Sequence, residues 1–227
     1  MLKELNALQL EKILKNIKHK SLYPDQVQII AVTKTLSYSA IISAYKNNIF
    51  NIGESKIQEI ESKLKKIETL KNLKIHLIGH LQSNKTKKAV LLCDYIQSVD
   101  SMKIAKKINK EAKLINKTQK IYLQINIGKD EKKHGFSTQE IFEKCLQIKK
   151  MSNLKVVGIM TILPQAISQE KTKKLFLNTK KIKEEIQQKF FKTCKELSMG
   201  MSGDYKIALK AGATNIRIGT RLYGKRK

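Results

Sequence analysis

The sequence predicts a closed α/β barrel of the (β/α)₈ type with one extra helix at its N-terminus. Three observations carry this. Eight short β-rich runs alternate with helical segments along 227 residues, a pattern that gives an open doubly wound sheet or a barrel. Nearly every run reads as apolar on both faces, as parallel strands covered by helices do. The count of eight, at this chain length, selects the barrel.

The elements follow in order. MLKELNALQLEKILKNIKHK has amphipathic helical spacing and lacks the unbroken apolar core and cleavage site of a signal peptide. QIIAVTK (28–34) is the first strand and SYSAIISAYKNN a short helix. IFNIGES (49–55) is the second strand, followed by a charged helix to about Lys71. KIHLIGH (74–80) is the third strand, NKTKKAVLLC a helix, and YIQSVDS (95–101) the fourth strand. A lysine-rich helix leads to IYLQINI (121–127), then a loop from Gly128 to Gly135 and another helix. VVGIMTILP (156–164) is the sixth strand, and a long helix spans about Ser168 to Phe191. ELSMGMS (196–202), the helical DYKIALKAGA and NIRIGT (215–220) complete the set. The last outer helix has little chain left to form, and the N-terminal helix is expected to cover that gap, because strands one and eight are neighbours in a barrel. Only Pro24 and Pro164 interrupt the chain and no linker composition appears, so 1–227 reads as a single domain.

Composition excludes several classes. The longest apolar runs have strand length, so no transmembrane helix is expected. Cys93, Cys145 and Cys194 are odd in number and widely spaced, which fits buried thiols in a reducing cytoplasm. The formal charge of +27 raises nucleic acid as a partner. The lysines are spread along the chain, however, and Tyr and Phe are few, with no Trp. Neither a base-reading arginine cluster nor a stacking platform is present. Solvated lysine faces, with no specific nucleic acid and no membrane partner, are the expectation.

Only three residues are arginine: Arg217, Arg221 and Arg226. Arg217 sits inside the eighth apolar strand, where a guanidinium must be paired or face a ligand. Arg221 and Arg226 lie beyond the strand end and read as solvent or rim contacts. In barrels of this type functional groups gather at the C-terminal strand ends, and a phosphate site is frequently built after strands seven and eight. Strand one delivers Lys34 there, in a setting that would lower its pKa and free its amine. Strand two delivers Ser55. Strand seven delivers Ser198 and Ser202, and strand eight Gly219 and Thr220, with glycines for close approach and hydroxyls for donation. A phosphate cup, a strand-end lysine and an inward arginine together point to a phosphorylated aldehyde, pyridoxal 5′-phosphate. His76 and His80, four apart, read as sharing one strand face without a third metal ligand. His134 reads as exposed. Asp94, Asp100 and Asp204 show no two-carboxylate spacing.

AVTKTLS (31–37), GESKIQE (53–59), HLIGHLQSNK (76–85), QSVDS (97–101), LSMGMSGD (197–204) and RIGTRLYG (217–224) resemble the pyridoxal phosphate homeostasis proteins, the YggS/PROSC-like, alanine racemase N-terminal-like family. The resemblance runs almost end to end. It implies one barrel that holds the cofactor as a lysine aldimine. Lys34 is then the Schiff-base lysine, Ser198, Ser202, Gly219 and Thr220 surround the phosphate, and Arg217 donates to the pyridine nitrogen. Two positions depart from the family: Ser55 stands where Asn is usual, and Ile75 where Trp is frequent.

The resemblance also bears on catalysis. An arginine at the pyridine nitrogen cannot keep it protonated, so the electron sink is weak. Racemases of the related fold use a second base from an additional domain, which this chain is expected to lack. The expectation is a monomeric cytoplasmic carrier in cofactor homeostasis, without robust catalysis, with cofactor-dependent apoenzymes as possible partners. The alternative is a weak amino acid racemase.

Overall fold

The computed structural model describes residues 4–67, 70–130 and 133–225. Eight parallel strands close into a barrel in sequence order. They are β1 (Gln28–Val32), β2 (Asn51–Glu54), β3 (Lys74–Leu77), β4 (Tyr95–Val99), β5 (Gln119–Gln124), β6 (Leu154–Met160), β7 (Glu196–Met201) and β8 (Asn215–Ile218). Closure is direct: Gln28 to Ala31 of β1 pair in register with Asn215 to Ile218 of β8. The helices are α1 (Ala7–Lys20), α2 (Ser39–Lys46), α3 (Ile57–Leu64), α4 (Thr86–Leu92), α5 (Met102–Leu114), α6 (Ile141–Ile148), α7 (Gln169–Lys189), α8 (Tyr205–Lys210) and α9 (Thr220–Tyr223).

The stunted final helix and its cover are both present. α9 is a single turn of 4 residues. α1 buries Leu10, Ile13 and Ile17, spaced for one helix face. Its start is fixed by Asn6, whose side chain accepts from the Gln9 amide and whose own amide donates to Leu222 O at 2.8 Å. The Asn16 side chain reaches Tyr205 Oη at 3.2 Å, tying α1 to α8. No helix among the described residues is long and apolar enough to cross a membrane.

Three expectations are corrected. Every strand ends before the last residue of its expected run, and β5 and β6 begin two residues early, at Gln119 and Leu154. Residues just past the strand ends, among them Lys34, Ser55, Ile78, Ile162, Ser202 and Thr220, form the barrel mouth instead. The charged helix after β2 ends at Leu64 instead of running to Lys71. Most importantly, the strands are not apolar on both faces. The apolar core lies between the strands and the helices. The barrel interior is largely polar, because Gln97 of β4 bonds Ser198 of β7 and Asn215 of β8 bonds Tyr122 of β5, straight across the lumen. Tyr122, Val157 and Met160 form a small apolar cluster separate from that core. Gly158 is required there, since a Cβ at that position would meet Glu196 O at 2.4 Å and the Tyr122 ring at 2.8 Å.

Candidate functional site

Arg217 organises the C-terminal half of the lumen. Its side chain is buried, and its Nη1 donates to Ser198 Oγ and its Nη2 to Thr161 O, each at 2.8 Å. Both partners are uncharged. Burial pulls its pKa down to about 10, which still leaves the guanidinium charged at neutral pH. Ser198 passes the hydrogen bond on, donating to Gln97 Oε1 at 2.7 Å. Gln97 Nε2 donates to His76 Nδ1 at 2.9 Å, and His76 Nε2 lies 3.0 Å from Asn51 Oδ1. The relay has one direction. Because Nδ1 accepts, the His76 proton sits on Nε2 and the ring is neutral. Burial agrees, lowering the His76 pKa to about 3. The ring also stacks on Tyr95 at 4.3 Å.

This settles where Ser198 lies. It is wholly buried beneath Arg217, with its hydroxyl engaged on both sides. His76 and His80 do not share a strand face: β3 stops at Leu77, His76 points into the lumen, and His80 lies in the following loop.

The other six expected residues line one cavity of about 290 Å³ at the C-terminal mouth: Lys34, Ser55, Ser202, Arg217, Gly219 and Thr220. Ile78 and Ile162 wall it, two contributions with no polar signature in the sequence. Ser202 Oγ accepts from the Arg221 amide at 3.4 Å, so the loop after β7 meets the turn after β8 here. Arg221 itself is a rim residue: its Nε donates to Ser202 O at 2.6 Å and its guanidinium stacks over Tyr205. Arg226 lies outside the described residues. Ser55 is fixed by the crossing of the loop after β3. Gly79 passes so close that a Cβ there would meet Ser55 O at 2.3 Å. Ser55 also lines a larger concavity of about 630 Å³, with Gly79, His80 and Gln82.

The neighbours of Lys34 are held by a buried charge network that the sequence reading missed. Lys63 of α3 donates to Glu54 Oε1 at 2.6 Å and to Thr33 O at 2.9 Å. Thr33 Oγ1 donates to the same carboxylate oxygen at 2.5 Å. On the other side, the Thr35 amide donates to Glu59 Oε2 at 2.7 Å, and Thr35 holds a left-handed φ of 63°. Such a backbone persists only where its surroundings impose it. Both residues flanking Lys34 are therefore clamped by α3 and β2. Burial raises the Glu54 pKa despite Lys63, and its second oxygen is buried without a hydrogen-bond partner among the described residues.

The comparisons with known proteins fit this geometry. Residues 8–227 match the model of the family described as alanine racemase, N-terminal domain. The pyridoxal phosphate homeostasis protein of Synechocystis sp. is 41% identical over 203 residues, covering 89% of this chain and 93% of that one. The chain belongs to the pyridoxal phosphate homeostasis proteins. The Aquifex aeolicus protein of that name is 34% identical over 223 residues, covering 96% and 95% of the two chains. The structure of PipY from Synechococcus elongatus with pyridoxal phosphate bound is 34% identical, with a TM-score of 0.83, covering 93% of this chain and 100% of that one. Alanine racemase from Clostridium difficile, 19% identical with a TM-score of 0.76, shares the fold; the match spans 99% of this chain and 58% of the racemase.

Proposed function

We propose that this chain is a single-domain carrier that binds pyridoxal 5′-phosphate and takes part in its homeostasis. One observation carries the reading: Lys34 lines the same cavity as Ser202, Gly219 and Thr220, above a fixed guanidinium. The residues fit the group. A permanent cation whose hydrogen-bond partners are uncharged favours an anionic ligand, and hydroxyls beside Gly219 suit a phosphate. Lys34 supplies the amine that takes the cofactor's aldehyde. Ser202, Gly219 and Thr220 hold the phosphate, and Ser55 donates to a ring substituent. Arg217 directs an N–H at the ring nitrogen, and Ser198 positions Arg217 rather than touching the phosphate. When bound, the cofactor supplies a reactive carbonyl and an electron-withdrawing ring.

Arg217 also argues against chemistry that needs a strong electron sink. It donates and cannot accept the proton that a strong electron sink keeps on the ring nitrogen. We propose no robust catalysis, a monomer in the cytoplasm, and cofactor-requiring apoenzymes as recipients. The three buried thiols, each with its pKa pushed up to about 12 by burial, suit a reducing compartment.

The phosphate cup is tested by comparing pyridoxal 5′-phosphate with pyridoxal. Removing one charge-assisted hydrogen bond costs about 1.5–3 kcal/mol. Ser202→Ala and Thr220→Ala should each weaken the phosphorylated ligand roughly ten- to hundredfold and leave the weaker pyridoxal binding unchanged. Equal loss of both ligands would place the cup elsewhere.

A further inference from the structure

Three loops that follow consecutive strands bring His80, Asp100 and His134 together on the barrel rim. His80 Nδ1 lies 2.7 Å from Asp100 Oδ2, and His134 Nδ1 lies 4.0 Å from the same oxygen. One ligand atom from each residue falls within 4.8 Å of the others. The two imidazoles stack with centroids 3.8 Å apart and planes 14° from parallel. None of this was legible as a motif, because the residues are 20 and 34 positions apart.

We propose that this cluster is a binding site for a divalent transition-metal ion, with zinc or nickel the best fits. The inference does not rest on the carrier reading, since no residue of the cluster lines the central cavity. Two imidazoles and one carboxylate are a donor set for borderline ions, with positions left for water. Ligand atoms bound at about 2.0–2.2 Å from one ion sit on the order of 3–4 Å apart. The His134–Asp100 spacing already satisfies this. The His80–Asp100 spacing is that of a hydrogen bond, whose proton an ion would replace. The stacked rings must rotate to aim their nitrogens at a common point. Their side chains, 43% and 60% exposed, are free to do so, whereas the Asp100 side chain is 4% exposed and anchors the site.

The surroundings isolate the cluster. In a chain with 46 lysines and arginines, this buried carboxylate is met by imidazoles, which can ligate, where a lysine would only neutralise it. Lys133, next to His134, is turned away to Leu163 O and Asp130. Competing soft ligands are suppressed, because Cys93, Cys145 and Cys194 are buried with raised pKa values. His76 is committed to the lumen relay, and His19 is exposed near the end of α1. An ion here would staple the loop after β5 to the loops after β3 and β4.

The chain has four histidines, so imidazole nitrogen NMR can follow each imidazole separately. Untagged, cofactor-free full chain is titrated with zinc chloride, and then with nickel chloride, alongside calorimetry. One equivalent of zinc should move the His80 and His134 resonances and leave those of His76 and His19 in place. His134→Ala should fold normally and lose at least about tenfold in zinc affinity, consistent with the 10- to 100-fold effects of weakened metal shells. His19→Gln should bind as the parent does. Zinc affinity equal in parent and His134→Ala, or shifts confined to His19, would overturn the proposal.

Discussion

Ser198→Ala separates two roles for one hydroxyl. In the structure Ser198 Oγ accepts from Arg217 Nη1 at 2.8 Å and donates to Gln97 Oε1 at 2.7 Å. The variant strands a charged donor and a neutral acceptor in the lumen, at sites closed to solvent. A hydrogen bond to a charged group contributes about 1.5–3 kcal/mol and a neutral one about 0.5–1.5, so the loss should be roughly 2–4 kcal/mol. For a chain of 150–250 residues each kcal/mol moves Tm by about 2–4 °C. The cofactor-free variant should therefore melt about 5–15 °C below the parent. Absorbance titrations with pyridoxal 5′-phosphate and pyridoxal would accompany the melts. Their affinity ratio, which isolates the phosphate, should not change. An unmoved Tm together with selective loss of the phosphorylated ligand would refute the reasoning, because it would place the hydroxyl on the phosphate.

Further expectations follow from the other buried polar groups. Lys63→Met should destabilise the fold by about 3–5 kcal/mol in urea unfolding, because Glu54 keeps a buried charge without its cation. Adding Glu54→Leu should restore much of that stability yet leave Lys34 slower to react with pyridoxal 5′-phosphate, since Thr33 is no longer clamped; a parent-like rate in the double variant would make the network purely structural. His76 should give the protein an acid-sensitive limb. Its folded pKa of about 3 lies below the ordinary 6.5, so the unfolded chain takes up a proton that the folded one refuses. Stability from this group is complete above pH 6.5 and falls by up to about 1.4 kcal/mol per pH unit on the way down to pH 3. Glu54 acts with the opposite sign: its raised folded pKa makes its contribution complete below the ordinary 4.5 and lost as pH rises through the folded value. His76→Gln should lower stability at neutral pH and flatten the acid limb, and an unchanged slope in denaturant titrations across this range would show that the ring does not carry it.

Much of the architecture was legible because its signals are local. Eight apolar runs separated by helical spacing imply the barrel, and the amphipathic spacing of Leu10, Ile13 and Ile17 implies α1. Arg217 stood out as an arginine among lysines inside an apolar strand. Lys34 and Ser202 were singled out by the rule that strand ends carry function, and both line the mouth cavity. What was missed depends on partners far apart in sequence. Lys63 looked like one more surface lysine on a charged helix until α3 folded it under β1. Ser198 looked like its neighbour Ser202, yet strand alternation turns one into the lumen and the β7 turn brings the other to the mouth. Gln97 carries no signal of its own, and its role exists only once β4 faces β7. The rim histidines belong to different loops, so no spacing marks them.

The central claim is that Lys34 holds the cofactor through its amine. Purified protein is saturated with pyridoxal 5′-phosphate, its visible absorbance recorded, and the bond fixed with borohydride before digestion and mass spectrometry. The account predicts one modified peptide, containing Lys34, and neither visible absorbance nor fixed cofactor in a folded Lys34→Ala variant. A modification that persists on another lysine in that variant, with the absorbance intact, would contradict it.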